Sequence, residues 1–135
     1  MGEVAGASMP PADRRTRMAE DRTLPGAAAA HALDGLISVP PHAITSRVIA
    51  RTAAGNVTLF GFDAGEGLSE HTAPFDALVV VLDGQLQLTI GGARVTAGPH
   101  DFVRMPAHVP HALAAVTPVR LLLVMLREAA APPSL

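Results

Sequence analysis

Cysteine is absent from the 135 residues, which excludes disulfides and thiolate metal sites alike and removes redox chemistry as a clue to compartment. Charge is scarce too. Charged side chains make up 16% of the chain and the formal net charge is −2, so there is neither a basic field for nucleic acid nor a strong acidic bias. The one basic cluster, "DRRTR" at residues 13–17, falls in a segment that reads as a disordered tail. No apolar run can cross a bilayer as a helix: the longest aliphatic stretch, residues 121–126, is far short of the roughly 20 residues required. "RRTR" followed by "LPGAAAAHALDG" falls short of an export signal, because its Ala-rich centre is interrupted by His31 and Asp34. The expectation is a cytoplasmic protein with no membrane and no nucleic-acid partner. A nucleophile elbow, a phosphate-binding loop and an HExxH helix are also missing.

What is present is apolar sequence cut into short pieces. About half the residues are hydrophobic (49%), and 12 Gly and 12 Pro punctuate them. The length suits one domain with a modest core. Residues 1–35 read as a disordered or loosely packed tail, with a short helix at 24–35 suggested by Pro25, the Ala run and Gly35. Residues 129–135 read as a second tail. Between them, residues 36–128 carry the pattern of strands. "SRVIART" and "VTLFGFDAG" flank the turn "AAGN". "ALVVVL" meets Asp83-Gly84, a two-residue hairpin signal, and then "QLQLTI". "QLQLTI" alternates and should have one wet face; "ALVVVL" is apolar throughout and should be covered on both. Gly91-Gly92 turns the chain into "ARVTA", and "DFVRM", "HALAAV" and "VRLLLVML" follow. Eight or more short strands at this spacing predict an all-β sandwich or barrel.

Two marked segments in this strand order resemble the cupin superfamily, whose members are small jelly-roll barrels with an internal pocket. The resemblance covers about residues 45–127. Gly65, five residues and then His71 match the opening of the first cupin motif, and Gly84 matches its closing glycine. The motif's second histidine and its glutamate fall on Ala73 and Ala77. In the second motif, Pro106 and His111 match, whereas His108 stands at a glycine position and Ala115 at an asparagine position. The motif's first glycine is displaced: either Gly98 fills it with two extra residues, or His100-Asp101 replaces the usual Gly-Asp pair. The resemblance implies an all-β, single-domain double-stranded β-helix, and with the edge strands and apolar last strand it implies a homodimer.

The family's two His, Glu and final His commonly bind one divalent metal. Here His71 and His111 remain as candidate ligands, two fewer than such a centre uses. Glu70 or His108 is the candidate third ligand, with Fe, Mn, Ni or Zn as the metal; no metal at all is the alternative. Asp76 is next to Ala77, so strand alternation turns it away if Ala77 faces the pocket. Exchanging an imidazole and a carboxylate for two methyls enlarges the pocket and makes it more apolar. Phe75, Met105 and His108 are the candidate ligand-binding residues, while Phe60, Phe62 and Phe102 line the cavity or pack behind it. Three functions compete. The first is a barrel that binds a small apolar or aromatic molecule, its metal site degenerate. The second is a metal-dependent dioxygenase, isomerase or cyclase with the metal as Lewis acid or oxygen activator. The third is a metal-free enzyme with a histidine acid/base.

Overall fold

The computed structural model describes residues 18–21 and 24–127. Among the described residues ten strands form two sheets: β1 (Met18–Asp21), β2 (Ile44–Thr52), β3 (Gly55–Phe62), β4 (Gly67–His71), β5 (Asp76–Asp83), β6 (Leu86–Ile90), β7 (Ala93–Ala97), β8 (Phe102–Met105), β9 (His111–Ala115) and β10 (Val119–Leu126). The larger sheet has the order β1-β2-β3-β10-β5-β8, and the smaller the order β4-β9-β6-β7. The chain is all-β, and its two sheets enclose one core, as in a jelly roll. β1, inside the stretch read as tail, pairs parallel with β2. Of the stretches read as tails, residues 1–17, 22–23 and 129–135 lie outside the described residues. The helix expected at 24–35 is reduced to a 3₁₀ turn, Leu33–Gly35. Among the described residues no helix is long and apolar enough to cross a membrane.

Alternation decides what is buried. In β5, Ala77, Val79 and Val81 point into the core, and in β6 so do Leu86 and Leu88. Phe60 and Phe62 of β3, with Val119 and Leu121 of β10, extend the inner face of the larger sheet beside β5, opposite Leu86 and Leu88 of the smaller sheet. The expectation that both faces of "ALVVVL" are covered needs correction: Leu78, Val80 and Leu82 are half-buried, on the outer face of the larger sheet. Part of that outer face is covered by the segment before β2. There Ile37 is buried, and the Ser38 carbonyl lies so close to β3 that a side chain at Gly61 would start 2.6 Å from it. Asp34 anchors the same segment on Arg120 of β10, which also binds Asp83.

The turns divide into two kinds. Gly91 and Gly92, with φ of 56° and 84°, join β6 and β7 as the hairpin the sequence predicts, since both central residues of such a turn take positive φ. Asp83-Gly84 behaves differently. β5 pairs with β10 and β8, and β6 pairs with β7 and β9, so the two strands it joins lie in different sheets. The expected hairpin is instead a corner. It packs on a second corner, between β9 and β10, through bonds from the Gln85 N–H to Thr117 Oγ1 and from the Val116 N–H to the Gln85 carbonyl.

Candidate functional site: two imidazoles in an apolar cavity

The barrel holds a cavity of about 490 Å³, its open mouth included. Phe60 and Phe62 of β3, Leu113 of β9, and Leu121, Leu123 and Met125 of β10 form most of its wall. Ala73 and Phe75, in the connection from β4 to β5, flank the mouth, and Ala77 and Met105 contribute from β5 and β8. The polar lining is His71 and His111.

A β-bulge brings these two together. Leu68 of β4 pairs with Leu113 of β9, and His71 pairs with His111, so three steps on β4 match two on β9. Without the extra residue, Leu68 and His71 would point to opposite faces; with it, both line the cavity. Their rings meet edge to face with centroids 4.4 Å apart. His111 is buried, whereas His71 is exposed at the mouth. His71 Nδ1 lies 3.0 Å from the Ser69 carbonyl and His111 Nδ1 3.2 Å from the Val109 carbonyl. A carbonyl only accepts, so each Nδ1 carries a proton, and Nε2 is the atom that bears the lone pair in a neutral ring. Such an imidazole can accept a hydrogen bond or a proton, or ligate a cation.

Other sequence candidates lie elsewhere. Asp76 faces away from the cavity: it accepts from the Ala107 N–H at 2.8 Å and from Arg104 at 3.2 Å, and these bonds, the backbone one first, hold its carboxyl below the usual range. Glu70 is exposed and does not line the cavity. His108, expected at the ligand, is not among the lining residues either. Its N–H donates to the Ala73 carbonyl at 2.8 Å, and its φ of 66° is the conformation that the motif's glycine takes without strain. Phe75 and Met105 do line the cavity, together with Phe60 and Phe62, while Phe102 is 69% exposed on the outer face.

The Cupin domain family profile matches residues 58–125, and the chain belongs to this family. A conserved protein of unknown function from Streptococcus pyogenes is 28% identical, with a TM-score of 0.75 over 81% of this chain and 96% of that one. A cupin superfamily protein from Desulfitobacterium hafniense is also 28% identical, with a TM-score of 0.71 over 78% and 95%. A cupin 2 conserved barrel domain protein from Leptotrichia buccalis, again 28% identical, matches 70% of this chain and 46% of its own length at a TM-score of 0.67. None of the curated proteins compared matches the chain.

The donor set does not suit the four-ligand centre common in cupins. Among the described residues no three of His, Asp and Glu converge on a point that could hold a metal ion. The third ligand expected at Glu70 or His108 is not brought to the histidine pair, and methyl groups occupy the two motif positions that would complete the set. Two imidazoles alone hold a divalent ion weakly.

Proposed function

We propose that this protein binds a small apolar or aromatic molecule inside the barrel, without a resident metal. The observation that carries this reading is the composition of the cavity wall: eleven apolar side chains and two imidazoles, with alanine at both positions where the family motif has its second histidine and its glutamate. A concave apolar site with a few convergent polar groups is the usual form of a small-molecule site.

Two measurements test it. Metal content of untagged protein, after incubation with Fe(II), Mn(II), Ni(II) and Zn(II), is expected at background; one equivalent per chain, lost in His71→Ala, would overturn the metal-free part. Met105 and Met125 both line the cavity. Their labelled methyl NMR signals are therefore expected to shift on titration with toluene or indole. Unmoved Met105 and Met125 signals at saturating probe would sink the binding reading.

Self-association as a homodimer belongs to the same proposal. On the outer face of the larger sheet, Phe102 stands opposite Val80, and Val80 opposite Leu122, as an apolar row across three strands. Phe102 is 69% exposed in the single chain, and a second copy would cover it. Sedimentation equilibrium is expected to give the mass of two chains, falling to one in Phe102→Arg; a wild-type mass of one chain would refute the dimer.

A further inference from the structure

The inner row of β10 runs Val119, Leu121, Leu123, Met125, and strand alternation places the next residue of that row at Arg127, one residue past the end of the strand. The ladder reaches that far: the Arg127 N–H donates to the Ala54 carbonyl at 2.6 Å. Its guanidinium carbon lies 5.9 Å from the ring centroid of Phe75, which lines the mouth. An apolar row thus ends in a permanent cation stacked on a cavity-wall aromatic.

Arg104 pairs with Asp76, and Arg120 with Asp83 and Asp34, but among the described residues no carboxylate pairs with Arg127. The other polar groups of the cavity point to the same division of roles. With Nδ1 bonded to a carbonyl, the Nε2 of each neutral ring is an acceptor suited to an O–H or N–H. Arg127, a permanent cation against the cavity-wall ring of Phe75, is the group suited to hold a carboxylate there.

We propose that the occupant of the cavity is an amphipathic monocarboxylate, its apolar body in the barrel and its carboxylate on Arg127. The inference rests on reading the cavity as a ligand site and adds the class of ligand. Sequence reasoning passes over Arg127, although counting in twos from Leu121 places it on the inner row.

Calorimetric titration of the full chain with matched pairs tests it: hexanoate against hexanamide, and phenylacetate against phenylacetamide. Each acid is expected to bind about tenfold tighter than its amide, as a charge-assisted bond supplies. Arg127→Gln should remove that advantage by weakening the acid far more than the amide, while Arg127→Lys should keep part of it. Higher salt should narrow the gap. Equal binding of acid and amide, or an advantage that survives Arg127→Gln, would overturn the carboxylate inference and leave the cavity reading standing. Failure of all four compounds to bind would count against both.

Discussion

A double variant, Ala73→His with Ala77→Glu, is expected to retain close to one equivalent of Ni(II) or Zn(II) per chain through gel filtration, where the parent protein retains background levels. Both alanines line the same cavity as His71 and His111, and both stand where the cupin motif has metal ligands. The change takes the donor set from two imidazoles to three imidazoles and a carboxylate. The gain in affinity should exceed the roughly 10–100-fold that a mere outer-shell partner is worth. Ala77 is buried, so a glutamate there without metal is a desolvated charge, and the metal-free variant should be less stable than the parent. Metal that binds only the folded form should then raise its melting temperature, more so at higher metal concentration. Adding His71→Ala to the double variant should return metal content towards background. A folded double variant that gains no metal would show that the two alanines and the histidine pair do not face a common point.

Gly84→Ala should be among the most damaging single methyl additions in the chain. Gly84 has a φ of 86°, and a Cβ there would start 2.1 Å from the Pro118 carbonyl oxygen and 2.8 Å from Val119 Cγ2. The backbone on both sides is held in the paired corners that carry the chain from one sheet to the other, so neither can yield without disturbing strands. Gly92 is the control. Its φ is 84°, nearly the same, but a Cβ there meets nothing within 4 Å. Gly92→Ala should cost only the conformational term, about 1–2 kcal/mol. Gly84→Ala adds displacement of packed backbone and should cost several kcal/mol, a large part of the roughly 5–15 kcal/mol that holds a domain folded. Urea unfolding of the two variants measures the difference. Equal midpoints would mean that the second corner moves freely, contrary to its packing.

The contrast between these glycines also shows how far the sequence can be read. Gly91-Gly92 and Asp83-Gly84 carry similar turn signals, and a turn forms at both. One joins neighbours in a sheet and the other joins two sheets. The difference lies in Thr117 and Pro118, more than thirty residues away, whose corner receives the one at Gly84. The site divides in the same way. Motif spacing picks out His71 and His111 and exposes the alanines between them. It does not reveal the bulge between Leu68 and His71, since a bulge is a mismatch in count between two strands and only the pairing of β4 with β9 creates it. Nor does it show that His108 falls outside the cavity.

The features legible in the order of residues are local: where strands run, which residues alternate inward, where the chain must turn, and which family pattern it departs from at Ala73 and Ala77. Alternation and turn chemistry act over two to four residues, so the order of residues suffices to specify them. The tertiary structure alone decided which strands share a sheet, that the outer face of "ALVVVL" stays partly open, that His71 meets His111, and that Arg127 ends an inner row beside Phe75. Each of these depends on contacts between residues distant in the chain, such as Arg120 with Asp83 across 37 positions, and they exist only once strands far apart in the sequence have paired.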